Sequence, residues 1–117
     1  MAHPDTERPD ALDGHTHRIK TSCGSMFTTV NLQDGKPIEV FIRMGKQGCC
    51  WATFNESLGR LLSIGLQYNV PLDVLIKQLS GLQCSANTAY AGGKPVRSCS
   101  DAIAHVLSKY VKEDKEK

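Results

Sequence analysis

Five cysteines are the residues of this 117-residue chain with the greatest capacity for chemistry, and most of them stand next to a turn or a helix start. They occupy positions 23, 49, 50, 84 and 99. Glycine or serine neighbours flank most of them, as in Cys23-Gly24, Gly48-Cys49 and Ser98-Cys99-Ser100. Thiols at the ends of elements are typical of metal ligands and redox pairs, whereas thiols inside helices usually only pack. We therefore interpret the cysteines as the candidate functional residues.

Four of these thiols are predicted to converge at one end of a sheet, where they would act as metal ligands or as redox thiols: Cys23, Cys50, Cys84 and Cys99. Cys49 is the alternative to Cys50. Soft thiolate ligands select zinc or an iron–sulfur cluster. Because the chain has no Cys-x-x-Cys pair, the ligands would come from distant segments. The alternative interpretation is that some of the thiols pack as small apolar side chains.

Composition limits the classes of function. Apolar residues make up 40% and charged residues 22% of the chain, which is typical of one globular domain. A net charge of +2 without a basic stripe argues against a nucleic-acid partner. No apolar run approaches the roughly 20 residues that cross a bilayer, and the polar start of the chain does not read as a secretory signal. We expect a cytoplasmic protein, in which thiols stay reduced.

The elements that must position the cysteines are an antiparallel sheet and three helices. Apolar and polar residues alternate over 26–32 and 38–44, and Asp34-Gly35 between them is a hairpin signal. A short strand is also expected over 18–21. The period then changes to that of a helix. The prediction is an α+β fold: a small antiparallel sheet of two to three strands, followed by three helices packed on it.

The first helix is predicted from Cys50 or Trp51 to about Gln67, with one buried stripe made of Trp51, Phe54, Leu58, Leu61, Leu62 and Gly65. Gly59 and Gly65 inside it predict close packing on the sheet. A second helix is expected between Pro71 and Gly81. Residues 82–96 read as a long loop, and the third helix is expected to start at Ser98 or Ser100.

Both ends of the chain are predicted to be tails. Residues 1–16 are rich in proline and acids, so we expect a disordered segment, with His15 and His17 in or beside a solvated tail rather than forming a metal site. Residues 112–117 form a charged C-terminal tail. The folded domain would then cover residues 17–111.

Over residues 18–110 the chain resembles the TSCPD domain, which stands at the C-terminal end of many adenosylcobalamin-dependent (class II) ribonucleotide reductases and also occurs as a small protein by itself. The segments that carry the resemblance include Thr21-Ser22-Cys23-Gly24, Gly48-Cys49-Cys50, Gly81-Leu82-Gln83-Cys84 and Ser98-Cys99-Ser100-Asp101. In the last of these, Ser100 replaces the proline of the family motif, while the cysteine and the aspartate are kept. The second cysteine of the family corresponds best to Cys50.

A fainter resemblance connects the chain with the scaffold proteins of iron–sulfur assembly, which also have Cys-Gly, a hairpin, Gly-Cys at a helix start and a late cysteine that opens a C-terminal helix. It implies a similar fold. The counterparts of the three cluster-binding cysteines would be Cys23, Cys49 or Cys50, and Cys99.

These resemblances imply a small accessory module of ribonucleotide reduction, a component or partner of a B12-dependent ribonucleoside-diphosphate reductase in deoxyribonucleotide synthesis. It would bind zinc or an iron–sulfur cluster, or relay thiol redox equivalents, and would meet cobalamin only through a partner reductase. A chain of 117 residues cannot contain the reductase barrel, so no catalytic residue is assigned. The alternatives are a free-standing iron–sulfur or zinc carrier and a structural zinc domain for protein contacts. The reductase catalytic subunit and a second copy of the chain are the candidate partners.

Overall fold

The computed structural model describes residues 8–45, 50–84 and 88–115, with the backbone alone for 112–115. The expected tail over 1–7, Cys49 and the last two residues of the expected C-terminal tail lie outside the described residues. Within the described part, none of the helices is both long enough and apolar enough to cross a membrane.

Three antiparallel strands form the main sheet: β1 (Asp13–Thr21), β2 (Gly24–Gln33) and β3 (Lys36–Met44), in the order β1-β2-β3. Asp34 and Gly35 connect β2 with β3, and their φ angles of 53° and 79° are those of a tight hairpin turn. Buried side chains from alternate positions, such as Met26 and Val30 of β2 and Val40 and Ile42 of β3, cover one face of the sheet. The predicted sheet is confirmed.

Three helices complete the α+β fold: α1 (Cys50–Gln67), α2 (Leu72–Leu79) and α3 (Cys99–Lys115). The fold class is therefore confirmed. One difference lies in the segment predicted to be a long loop. It contains a second small hairpin, β4 (Ala89–Ala91) and β5 (Lys94–Val96), closed by Gly92 and Gly93 at φ angles of 57° and 80°. Strands of three residues are too short to show an alternating pattern, so the sequence did not reveal them.

The first strand begins earlier than the sequence suggested. β1 pairs with β2 from Asp13 onward, so residues 13–16 of the expected tail belong to the sheet. His15 and His17 are fixed by the hydroxyl of the buried Tyr110, which lies 3.1 Å from Nδ1 of His15 and 2.7 Å from Nε2 of His17. The interpretation of these histidines as solvated was wrong, because their partner lies more than 90 residues away in the chain.

The predicted buried stripe of α1 was right at Leu62 and wrong at its largest apolar side chains. Trp51, Phe54 and Leu61 are exposed, with Phe54 retaining 72% of its accessible surface. The helix instead buries a narrower and more polar set: Ala52, Asn55, Gly59, Leu62, Ser63 and Leu66. This set is small and polar because α1 packs beside the outer edge of β3, where backbone groups need partners.

Ser63 supplies those partners at the centre of the contact. Its hydroxyl accepts a hydrogen bond from the Val40 N–H at 2.8 Å and lies 3.0 Å from the Val40 carbonyl oxygen, to which it can donate. One turn later, the Gln67 side-chain amide donates to the carbonyl of Ile38 at 3.1 Å. A strand edge that would otherwise offer free N–H and C=O groups is thus covered by a helix.

Replacing Ser63 by alanine should therefore lower the free energy of unfolding by about 1–3 kcal/mol, because a buried backbone N–H loses its acceptor. Ser57 lies on the exposed side of the same helix and provides the control. The Ser57→Ala variant should change stability by less than about 0.5 kcal/mol. Urea denaturation of both variants measures the difference, and equal midpoints would contradict the role assigned to Ser63.

Candidate functional site

Three of the predicted cysteines come together at one end of the main sheet. Cys23 lies in the turn between β1 and β2, Cys84 follows α2, and Cys99 is the first residue of α3. The Sγ atoms of Cys23 and Cys84 are 3.9 Å apart, and the Cys99 Sγ lies 3.7 Å from the hydroxyl of Thr21. The Cys99 thiol is also close enough to Cys23 to raise the pKa of the Cys23 thiol. We call Cys23, Cys84 and Cys99 the thiol cluster.

Thr21 shapes the turn that presents Cys23. Its hydroxyl donates to the carbonyl of Gly24 at 2.9 Å and accepts the N–H of Cys23 at 3.0 Å. Gly24 has a φ of 125°, a conformation that side chains other than hydrogen strongly disfavour. The short sequence from Thr21 to Gly24 therefore fixes the direction of the first thiol without contacts from other segments.

Ser98 places Cys99 at the first position of α3. The Ser98 hydroxyl accepts the N–H of Asp101 at 3.0 Å, and its carbonyl accepts the N–H of Ala102 at 2.9 Å, so Ser98 is the N-cap. The third helix starts as predicted. Cys99 thus lies where free backbone N–H groups and the helix dipole favour negative charge.

Asp101 joins the segments that carry the other two thiols. Its carboxylate accepts the N–H of Gly81 at 2.8 Å and the N–H of Arg97 at 2.9 Å. The N–H of Cys84 in turn donates to the Arg97 carbonyl at 3.0 Å. Asp101 thus connects the segment just before Cys84 with the segment just before Cys99.

The net electrostatic effect on Asp101 favours its ionised form. Burial by itself raises the pKa of this carboxyl group, but the two backbone hydrogen bonds and the nearby His105 and Arg97 lower it more, so the pKa lies below its ordinary value. The carboxylate is thus charged across the neutral range, as two accepted N–H bonds require.

The thiol of Cys23 is shifted in the opposite direction. Burial first, and then the neighbouring sulfurs of Cys99 and Cys84, raise the pKa of Cys23 to about 11. If Cys23 lost its proton, its negative charge would lie in a partly buried site beside the thiols of Cys84 and Cys99, which can also become negative. Without an added positive charge, Cys23 is a neutral thiol at neutral pH.

Cys50 does not share this environment in the described structure. It is exposed at the first residue of α1. The end of β3 reaches the turn of Cys23, since Gly45 donates a backbone hydrogen bond to Ser25 at 2.8 Å. Residues 46–49, including Cys49, stand in the sequence between the end of β3 and Cys50. Across residues 8–45, 50–84 and 88–115, no three His, Cys, Asp or Glu side chains, those of the thiol cluster included, already lie close enough together to hold a metal ion.

Comparison with known proteins identifies the family. The model of the TSCPD domain matches residues 2–111. The chain belongs to the TSCPD domain family. The aspartate of the TSCPD motif is Asp101, the bridge between Gly81 and Arg97, and its cysteine is Cys99 of the thiol cluster. No solved structure matches the chain, so the resemblance to iron–sulfur scaffolds stays a prediction.

Relatives of this TSCPD domain are much larger proteins. The chain is 38% identical over 105 residues to the vitamin B12-dependent ribonucleotide reductase of Rhodopirellula baltica, a match that covers 88% of the chain and 10% of that protein. It is 35% identical over 100 residues to the vitamin B12-dependent ribonucleotide reductase of Bradyrhizobium diazoefficiens, covering 85% of the chain and 8% of the relative. The chain thus spans a tenth or less of the relatives it matches.

Proposed function

We propose that this chain is an accessory module of ribonucleotide reduction, in which the thiol cluster binds zinc or an iron–sulfur cluster. Support for the first part comes from the reductases that contain a similar domain. The chain corresponds to a small part of them, so the reductase chemistry and its cobalamin would belong to a partner. The module would act in the cytoplasm, where its thiols stay reduced.

The distance between the sulfur atoms of Cys23 and Cys84 carries the metal proposal. Four thiolates around a tetrahedral ion at zinc–sulfur bonds of about 2.3 Å have sulfur atoms about 3.8 Å apart. Cys23 and Cys84 are separated by 3.9 Å, so they stand at the edge length of such a tetrahedron. Cys99, whose thiol also raises the pKa of Cys23, would supply a third thiolate by moving closer to this pair.

The raised pKa of Cys23 favours a metal ligand over a redox nucleophile. A thiol with a pKa of about 11 is almost entirely protonated at neutral pH, and only the thiolate attacks a disulfide. A bound cation would lower the pKa of Cys23, because it stabilises thiolates that would otherwise repel one another. When bound, the metal would hold the β1–β2 turn, the end of α2 and the start of α3 together.

The fourth ligand is expected from Cys50, or from Cys49 as its alternative. Both follow the end of β3, whose Gly45 is hydrogen-bonded to Ser25 next to the turn of Cys23. Cys50 is exposed, so a movement at the start of α1 would be needed to bring its sulfur to the cluster. Water or a partner residue would be the other source of a fourth ligand.

Metal analysis of protein purified without oxygen tests the proposal. We expect one zinc per chain, or iron with absorbance at about 400 nm if a cluster is bound. Serine replacements of Cys23, Cys84 and Cys99 should each lower metal content at least about tenfold, and the Cys50→Ser and Cys49→Ser variants identify the fourth ligand. Wild-type protein that remains folded and metal-free after incubation with zinc, or equal metal content in every variant, would overturn the metal assignment.

A second candidate function rests on the same pair of atoms. Cys23 and Cys84 are close enough to form a disulfide after a movement of about 2 Å, since the S–S bond is about 2.05 Å long. The two thiols would then give two electrons and two protons to a disulfide of the partner, which leaves as two thiols. Alkylation and mass spectrometry after incubation with a dithiol–disulfide buffer would detect this bond in metal-free protein.

Association with a reductase is tested separately. The chain, mixed with the catalytic subunit of a B12-dependent reductase from the same organism, should sediment with it in analytical ultracentrifugation. A chain that sediments alone or as a homodimer, but carries metal, would point to the free-standing carrier. A metal-bound chain that associates with other proteins while leaving the reductase unbound would indicate the structural zinc domain.

A further inference from the structure

A second potential site lies away from the thiol cluster. A half-open cavity of about 580 Å³ lies between β1, the β4–β5 hairpin and α3. This volume falls in the range of small-molecule sites, roughly 300–1,000 Å³, and exceeds what a single phosphate ion would fill. None of the residues that line the cavity is a cysteine, so its chemistry is independent of the proposed metal site.

Every ionisable side chain that lines the cavity is basic: His17, Arg18, Lys94, His105 and Lys109. They come from all three of the surrounding elements, and the spacing of four residues between His105 and Lys109 places these two on the same face of α3. The whole chain has 14 lysines and arginines against 12 acidic residues. Three of these 14 residues, Arg18, Lys94 and Lys109, line the cavity, and none of the described acidic residues does.

Asp101 lies beside the cavity, with 3.8 Å between its carboxylate and the ring nitrogen of His105, but it is not one of the lining residues. Its charge offsets positive charge at His105, and no acidic residue of the described chain lines the cavity itself. On the opposite wall, burial, Lys109 and His15 lower the pKa of His17. The charge of Lys109 is thus felt across the cavity, where an anion would relieve the repulsion.

We propose that this cavity binds the phosphate groups of a small polyphosphate ligand such as a nucleoside triphosphate. Lys94 and Lys109, both exposed at the rim, provide compact positive charges from the hairpin and from α3. Gly92 in the hairpin turn has no side chain, so a phosphate can come close to the backbone there. The volume of the cavity suits a small ligand rather than an extended chain.

Calorimetric titration of the full chain with inorganic tripolyphosphate tests the site. Replacing Lys94 and Lys109 together by glutamine removes two charges from the cavity. Replacing Lys36 and Lys77 removes two from exposed positions elsewhere and is the charge-matched control. We expect the Kd of tripolyphosphate at low salt to rise at least about tenfold in the first double variant and less than about twofold in the second. Equal weakening in both would show attraction to net charge alone and overturn the proposal.

Two further measurements identify the source of the phosphate and the location of binding. A nucleoside triphosphate that binds more tightly than tripolyphosphate indicates a nucleotide, and equal affinities indicate recognition of the polyphosphate alone. An uncharged nucleoside that binds as well as either would overturn the proposal. Saturation with tripolyphosphate should also raise the pKa of His17, followed by NMR of its ring protons, and an unchanged His17 titration would place the anion elsewhere.

Discussion

Replacing Asp101 by alanine is expected to lower the free energy of unfolding by about 3 kcal/mol or more. Two backbone N–H groups, those of Gly81 and Arg97, lose a charged acceptor at once, and each loss costs about 1–3 kcal/mol. Asp101→Asn should have an intermediate effect, since its single carbonyl oxygen can accept one of the two bonds. Urea denaturation at neutral pH measures both effects.

Asp73 provides the matched control because it is an exposed aspartate in the first turn of α2. The Asp73→Asn variant should lose less than about 1 kcal/mol, the scale of a helix-dipole interaction. If Asp101→Ala is no less stable than Asp73→Asn, the carboxylate does not hold the two segments together. A stable Asp101→Ala variant that nevertheless loses its metal would assign Asp101 to the site alone.

Acid should destabilise the protein through Asp101 and Glu39. The pKa of Glu39 is lowered by its two hydrogen bonds from the Arg8 guanidinium and, against the effect of burial, by Asn31. Both carboxyl groups have a lower pKa in the folded than in the unfolded state. Their contribution to stability is therefore complete above about pH 5 and is lost as the pH falls through the folded-state pKa values. The Asp101→Asn variant should show a smaller loss of stability in this range.

Alanine at Gly59 and alanine at Gly65 should have opposite effects, although both glycines lie in α1. A Cβ atom at Gly59 would stand 3.0 Å from the Val40 carbonyl oxygen and 3.3 Å from the Ile42 nitrogen, and both are backbone atoms of β3. Ser63 holds the helix at this distance through its bonds to Val40. We expect Gly59→Ala to lower the free energy of unfolding by about 1–3 kcal/mol, even after its gain in helix propensity.

At Gly65 the added atom would meet the flexible methyl groups of Leu75 at 3.5 and 3.7 Å and the Cβ atom of Val70 at 3.9 Å, all ordinary contact distances. The gain in helix propensity then remains, and Gly65→Ala should raise the free energy of unfolding by up to about 1 kcal/mol. Thermal and urea denaturation of the two variants give the comparison. Two stabilised variants would mean that α1 can move away from β3 without cost.

The main sheet could be predicted because its signals are local. Alternation over residues 26–32 and 38–44 shows one buried face, and Asp34-Gly35 can adopt the positive φ angles that a tight turn needs. The length of α1 was predicted for a similar reason. Its buried side was predicted at Leu62 and at Gly59, which was expected to pack closely on the sheet. Trp51, Phe54 and Leu61 were expected to be buried and are exposed, while Ser63 contacts the edge of β3 instead.

The candidate site was predicted in part, because some of its signals are also local in the sequence. Flanking glycines and serines marked Cys23 and Cys99 as turn and helix-start residues, which they are. The position of Cys84 depends on Asp101 and on the Arg97 carbonyl, contacts that a pattern of residue types does not reveal. The grouping of Cys50 with the other thiols rested on its place at the predicted start of α1, and the family resemblance favoured it over Cys49. This grouping stays a prediction.

The separation of the cluster thiols along the chain has a consequence for the order of folding. Cys23 and Cys84 are 61 residues apart, so their meeting closes a long loop and must follow the formation of the local β2–β3 hairpin. Cys49 and Cys50 are adjacent and can meet a metal ion or an oxidant while the chain is still unfolded. We therefore expect refolding yields to be highest when metal is added after the hairpin and helices have formed, because early metal would trap the wrong thiols.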